Sequence, residues 1–271
     1  MTGARQLLRI IVAGILLLPA FSASAATDHR LKAAISSPHR NPKNVARDIY
    51  RHPYESLRFF GIRRNQHVVE LLPGGGYWTE ILAPYLQAKG SYTAVVSLSA
   101  GSPESIAERN AFQQLVLSDK ARYGKIRIVN FVAPYMVVPP GTADVILTFR
   151  NLHNWMRSGT ADAVIQGFYR SLKPGGILGI EDHRASPDTP QDPQAKNGYV
   201  REDYAIALIE KAGFKLVAKS EIGANPKDTK NYPAGVWTLP PVLKLGDKDR
   251  AKYLNIGESD RFTLKFVKPK S

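Results

Sequence analysis

Short apolar runs alternate with helical patterns along most of the 271-residue chain, and few folds satisfy that order. "QHVVELL", "SYTAVVSLS", "KIRIVNFVA", "ADVILTF", "ILGIED", "KLVAKSEI" and "RFTLKFV" all have strand length and β-branched or aromatic content. Between the first two, Trp78, Ile81, Leu82, Tyr85 and Leu86 recur at helical spacing. Ser102-Pro103-Glu104 is a helix start, with a capping serine before a proline suited to the first turn, and predicts a helix to residue 119. Thr160 opens a helix whose Ala161, Val164, Ile165, Phe168 and Leu172 share a face, and "KPGG" is its expected stop. "REDYAIALIEKAGF" is a further helix, closed at Gly213. This order predicts an α/β fold: a doubly wound, mostly parallel seven-stranded sheet with helices on both faces. No clear helix separates the last two strands, so the last strand is expected to run antiparallel.

Residues 1–26 read as a secretory signal. Arg5 and Arg9 form the basic region, "IIVAGILLLPAF" is a short apolar stretch, and "ASA" supplies a small-residue cleavage pattern. The apolar stretch is short for a membrane span, and no other stretch approaches that length. A periplasmic protein with no transmembrane span after signal removal is therefore expected. Residues 27–54 form a lead-in. Its first part, to residue 42, is polar and without periodicity, and residues 43–60 are helical in two pieces broken before Pro53. Residues 55–271 form the domain, with a Pro/Gly-rich, lid-like insertion at 222–260.

The formal net charge is +14, of which the signal contributes only its two arginines. Such a balance favours anionic partners. Lys and Arg are spread along the chain with no basic block and no recognition-helix signature, so nucleic acid is not an expected partner, whereas contact with an anionic surface is. Cysteine is absent, which excludes disulfides, thiolate nucleophiles and Cys-based zinc sites.

The turn after the first strand, "ELLPGGG", places Gly74, Gly75 and Gly76 where backbone N–H groups can approach a ligand closely. Alone, such a cluster is equally a plain strand-to-helix turn. Together with the element order and "LKPGGILGIED", it resembles the class I S-adenosylmethionine (SAM)-dependent methyltransferases over residues 55–267. The blocks "PGGGYWTEILAPYL", "FRNLHNW", "DHRA", "SEIGANPKDT", "GVWTLPP" and "IGESDRFTLKFVKP" resemble most closely a group of exported bacterial predicted methyltransferases. The resemblance implies SAM as cofactor. Glu70 would lie near its amino-acid end, and Pro73, Gly74, Gly76, Tyr77 and Thr79 would line the turn and the helix that follows. Ser97, Asn130, Arg150 and Asn151 would complete the pocket from the later strand ends. Two positions depart from the pattern. Leu72 stands where the family has glycine, and "VVSLS" lacks the acid that binds the ribose hydroxyls, leaving Ser97 and Ser99 as weaker, neutral partners.

"FRNLHNW" and "EDHR" end the fourth and fifth strands, so Arg150, Asn151, His153, Asp182 and His183 are expected to converge. His153 or His183 suits a general base for an O or N methyl acceptor, with Asp182 orienting the imidazole. Two His and a carboxylate also suit zinc or iron, but the spacing is not diagnostic and no metal is assigned. A third reading has these groups only tying loops together. The expected function is a methyltransferase of the cell envelope acting on a small-molecule or envelope-associated acceptor. The alternatives are a non-catalytic ligand-binding or sensor protein on the same fold and a basic protein that docks on anionic envelope polymers.

Overall fold

The computed structural model describes residues 27–97, 103–132, 135–136 and 138–270. The expected signal, Ser102 and the last residues of "VVSLS" lie outside the described residues. A sheet of seven principal strands forms the centre: β1 (His67–Leu71), β2 (Ser91–Ser97), β3 (Arg127–Val132), β5 (Ala143–Phe149), β6 (Leu172–His183), β7 (Lys215–Ser220) and β8 (Arg261–Val267). A two-residue β4 (Tyr135–Met136) lies antiparallel on the edge of β3. The order across the sheet is β4-β3-β2-β1-β5-β6-β8-β7. β3, β2, β1, β5 and β6 run parallel, and β8 runs antiparallel to both β6 and β7. The expected antiparallel last strand is thus present: β8 lies between β6 and β7, and with β7 it forms one edge of the sheet.

Side-chain alternation along β1 splits the core into two layers. Val69 and Leu71 face α8 (Leu152–Arg157), α9 (Ala161–Ser171) and α10 (Glu202–Lys211). Val68 faces the layer of α4 (Pro53–Phe60), α5 (Thr79–Leu86), α6 (Pro103–Ser118) and α7 (Lys120–Tyr123). α9 stops at Ser171, and "KPGG" runs as the first part of β6, with a register shift against β5 between Ala143 and Val145.

The lead-in is more ordered than its sequence indicates. Residues 29–35 form α1 (His29–Ile35), capped by the Asp28 carboxylate, which accepts from the Leu31 N–H at 2.9 Å. Leu31 is fully buried beside α5 residues, and this single buried side chain gives the sequence no period to read. α2 (Pro42–Val45) and α3 (Asp48–Arg51) follow, and the break before Pro53 falls at His52, whose φ is +43°. Arg40 binds Asp48 through two hydrogen bonds of 2.7 and 2.9 Å, and Tyr77 donates to Asp48 at 2.6 Å. These contacts fasten the lead-in over the carboxyl ends of the strands, where a doubly wound fold binds its ligands.

Candidate functional site

Two non-glycine residues with left-handed backbone mark that edge. Leu72 follows β1 at φ +49°, and Arg150 follows β5 at φ +61°. The two strands are neighbours, with Leu71 opposite Thr148. Each such residue costs about 1–2 kcal/mol, and such costs cluster at functional sites. Leu72 therefore adopts the backbone conformation that a glycine at this position would take freely. Its side chain packs against the α9 layer, and its N–H donates to Val95 O at 2.8 Å.

The glycine turn follows, with Gly74 at φ +57° and Gly76 at φ +90°. Among the described residues the N–H groups of Gly74 and Gly75 have no acceptor, and an anion placed at the turn could take them. The face of the turn is not open, however. A Cβ on Gly76 would lie 2.4 Å from Leu115 Cδ2, one on Gly75 3.9 Å from Ala111 Cβ, and one on Gly74 3.5 Å from a carboxylate oxygen of Glu108. All three neighbours belong to α6, so that helix lies across the cradle and sets a carboxylate against Gly74.

The candidates for SAM binding divide accordingly. Glu70 shares the face of Val68 and points into the α5 layer, where it accepts from Tyr92 Oη and from Thr79 Oγ1 at 3.5 Å. Burial pushes its pKa up to about 7 against these hydrogen bonds. Thr79 is shared with Tyr92 at 2.8 Å, and the Tyr77 hydroxyl is held by Asp48. Asn151 donates to Leu71 O at 3.2 Å and Thr148 Oγ1 at 3.1 Å, tying β5 to β1. Pro73 accepts from the Gly76 N–H at 3.0 Å. Ser97 ends β2 beside Phe131, and Asn130 is exposed on β3 opposite Val96. Glu70, Thr79, Tyr77 and Asn151 thus shape the site from within, while Gly74, Gly76, Ser97, Asn130 and Arg150 border it. The N–H groups of Gly74 and Gly75 suit a carboxylate such as that of SAM, and α6 lies over the rest of the turn.

The strand-end histidines do converge. Asp182 is fully buried and takes three N–H donors: His153 Nδ1 at 2.8 Å, the His153 backbone at 3.0 Å and the His183 backbone at 2.8 Å. With Asp182 as acceptor, Nδ1 of His153 is the donor, and Nε2 is the ring atom left for a proton-transfer role. His183 Nδ1 pairs with Ser259 Oγ at 2.5 Å, and the two imidazoles lie 5.2 Å apart. Burial drives the His183 pKa well below its ordinary range, aided by His153 and the charges of Arg150, Arg261 and Arg51, so this ring is neutral. His153, Asp182 and His183 also offer three ligand atoms within 4.8 Å of one another, a spacing compatible with a metal. The same three guanidiniums oppose a dication there and favour an anion.

The insertion walls this centre. Trp237 sits edge-on to His153 at 5.9 Å, with Arg157 over its ring at 4.6 Å. Asp228 is buried and accepts from Tyr199 Oη at 3.0 Å and from the Asp260 N–H at 2.8 Å. The Asn225 amide donates to Ile256 O at 2.9 Å and Glu258 O at 2.6 Å. Val236 donates to Asn197 O at 2.9 Å, and Gly235, at φ +58°, lies so close to Asn197 that a Cβ would be 2.3 Å from its carbonyl oxygen. Hydrogen bonds at Asn225, Asp228 and Val236 hold these parts of the segment against the domain.

Sequence reasoning missed Arg47, Arg51 and Glu258, which lie with Arg261 around Arg150. Arg47 Nε donates to Glu258 at 2.5 Å, and Arg261 Nη1 reaches Glu181 at 3.1 Å and Glu258 at 3.4 Å. Arg47 and Arg51 stand four apart in a helical stretch, a spacing that puts both on one face and is readable in the sequence. Among the described residues no helix is long and apolar enough to cross a membrane.

No family model matches this sequence, and no curated protein matches it. Solved structures match its fold. A SAM-dependent methyltransferase from Aquifex aeolicus aligns over 84% of this chain and 94% of its own, with 17% identity and a TM-score of 0.56. The [4+2]-cyclase SpnF aligns over 80% of each chain, with 13% identity and a TM-score of 0.57. Phosphoethanolamine N-methyltransferase 2 of Haemonchus contortus, in complex with SAM, aligns over 90% of this chain and 60% of its own, with 14% identity and a TM-score of 0.54. The chain has the class I SAM-dependent methyltransferase fold.

Proposed function

We propose that this protein is an exported, SAM-dependent methyltransferase of the cell envelope that acts on an oxygen or nitrogen acceptor, with His153 as its general base. The observation that carries this reading is the His153–Asp182 pair, buried at the same strand ends that carry the glycine turn. Gly74 and Gly75 would hold the cofactor's carboxylate through their free N–H groups, and Ser97 and Asn130 border its nucleoside end. SAM, when bound, supplies an electrophilic methyl group. His153 Nε2 takes a proton from the acceptor, Asp182 stabilises the resulting imidazolium, and Trp237 excludes water from the pair. Neutral His183 adds no second positive charge to the imidazolium that forms.

Calorimetry of the full chain with SAM and S-adenosylhomocysteine tests the cofactor. Saturable heat is expected, and neither heat nor a thermal shift at millimolar ligand would remove SAM from the proposal. Fractionation of expressing cells tests export: the protein should appear in the periplasm with its N terminus beyond residue 25.

One observation favours a second reading, a ligand-binding protein on the same fold: α6 lies across the turn that the cofactor needs. A solved structure with this fold is named a cyclase, so the fold supports more than one chemistry. SAM binding without any dependence of methyl transfer on His153 would favour this second reading.

A further inference from the structure

Four guanidiniums meet two carboxylates at the strand ends. Arg47 and Arg51 come from α3 and its approach, Arg150 from the end of β5, and Arg261 from the start of β8; Glu258 and Glu181 are the carboxylates. Arg261 is satisfied at both terminal nitrogens, by Glu181, Glu258 and the Tyr50 carbonyl. Arg51 is not. It is 4% exposed, its nearest carboxylate is Glu258 at 3.9 Å, and its guanidinium makes no hydrogen bond to a described residue while lying 4.3 Å from the centre of the Tyr77 ring. The Arg150 side chain likewise makes no hydrogen bond, and Nε of Arg51, Arg150 and Arg261 and Nη2 of Arg47 are buried without partners. A buried cation without a partner is costly, and removing it from water is repaid only by an anion with good geometry. Burial, with the charges of Arg150, Arg47 and Arg261, holds the Arg51 pKa well below its ordinary range.

A second feature leads to the same place. A crevice of about 190 Å³ opens beside the cluster, walled by Tyr50, His52, Lys227, Glu258, Ser259 and Arg261. Ser259 is the residue that holds His183. Among the described residues, Arg261 is the one guanidinium of the cluster that lines this crevice, and Ser259 links the same wall to His183.

We propose that Arg51 and Arg150, flanked by Arg47 and Arg261, bind the anionic group of a small-molecule ligand, a carboxylate or a phosphate. Guanidiniums match both groups through paired N–H donors. On the methyl-transfer reading, on which this one assignment rests, the anion belongs to the acceptor. The free N–H groups of Gly74 and Gly75 already serve the cofactor's own carboxylate, and Arg150 is three residues from the base.

Calorimetry of the full chain with inorganic phosphate and, separately, with acetate tests the site. Ionic strength is held constant with sodium chloride, and the variants are Arg51→Met, Arg150→Met and, as an exposed control, Lys89→Met. Saturable one-site binding of at least one probe is expected, weakened at least about tenfold in both arginine variants and unchanged in the control. Binding of neither probe, or equal affinity in all chains, overturns the site. If Arg51→Met does not fold, the half-buried Arg150→Met decides alone. SAM titrated into the same variants separates the two sources of the anion. SAM affinity that is unchanged or tighter assigns the anion to the acceptor, whereas a parallel loss, with SAM displacing phosphate, assigns it to the cofactor and overturns the acceptor assignment. If SAM binds no chain, the methyl-transfer reading fails while the phosphate and acetate results still decide the anion site.

Discussion

Replacing Glu70 with glutamine is expected to stabilise the protein above neutral pH and to leave it unchanged in acid. Glu70 is 1% exposed, and burial raises its pKa from 4.5 to about 7. Between those values the native state keeps a proton that the unfolded chain has released. Stability therefore falls as pH rises through this window and levels off above it. A pKa unit corresponds to about 1.4 kcal/mol, so the full displacement amounts to about 3 kcal/mol. Glutamine has the shape of the neutral carboxyl and cannot ionise, and its carbonyl still accepts from Tyr92. Urea unfolding of both chains at pH 4, 6 and 8 measures the effect, with the gain of Glu70→Gln over the natural chain read at each pH. That gain should rise from near zero at pH 4 to about 2–3 kcal/mol at pH 8. A gain that stays constant with pH would refute the reasoning, because a constant term reflects packing and not the ionisation of a buried carboxyl.

Glu258 should behave in the opposite sense. It is buried, yet the charges of Arg51, Arg261 and Arg47 outweigh burial and hold its pKa at about 2. Its contribution is present above pH 4.5 and lost as pH falls towards 2, so Glu258→Gln should cost about 3 kcal/mol at pH 7 and little at pH 2, checked by the same urea series. Asp182→Ala leaves three buried N–H donors without an acceptor. At about 1–3 kcal/mol for each, it should lower stability by roughly 3–9 kcal/mol in urea at pH 7, with part of the loss restored in Asp182→Asn.

The sheet, its parallel core and its antiparallel last strand were legible because strand and helix periods alternate cleanly from residue 66 onward. The pairing of His153 with Asp182 was legible because both lie at ends of strands that such a sheet makes neighbours. What was not legible depends on contacts across long sequence separations. Arg51 meets Glu258 over more than two hundred residues, and only the folded lead-in brings them together. Glu70 reads as a ligand-facing acid from its place before the glycine turn. The two-residue period of β1 instead puts it on the face of Val68, where Tyr92 and Thr79 hold it. Leu72 reads as a broken motif, yet its φ of +49° keeps the turn that glycine would have made. The cover of α6 over that turn has no counterpart in the sequence pattern, because Ala111 and Leu115 look like any helical pair four apart.

The charge of the site links the two proposals. SAM carries a positive sulfonium, and on the methyl-transfer reading its methyl would come close to a centre where guanidiniums outnumber carboxylates by two. Like charges at that range oppose binding, most strongly where water is excluded. α6 sets the Glu108 carboxylate against Gly74, and the charge of Glu108 also acts on Arg150, so this helix partly offsets the excess. On the methyl-transfer reading, a cofactor seated on the turn would displace α6 and the Glu108 carboxylate with it. An anion on Arg51 and Arg150 restores the balance that the moving helix gives up. If both proposals hold, binding of the anion and of SAM would be cooperative, and by linkage each would tighten the other by the same factor. The excess of arginine, a burden to a fold that binds a cation alone, would then be a means of admitting the methyl donor chiefly when an anionic acceptor is in place.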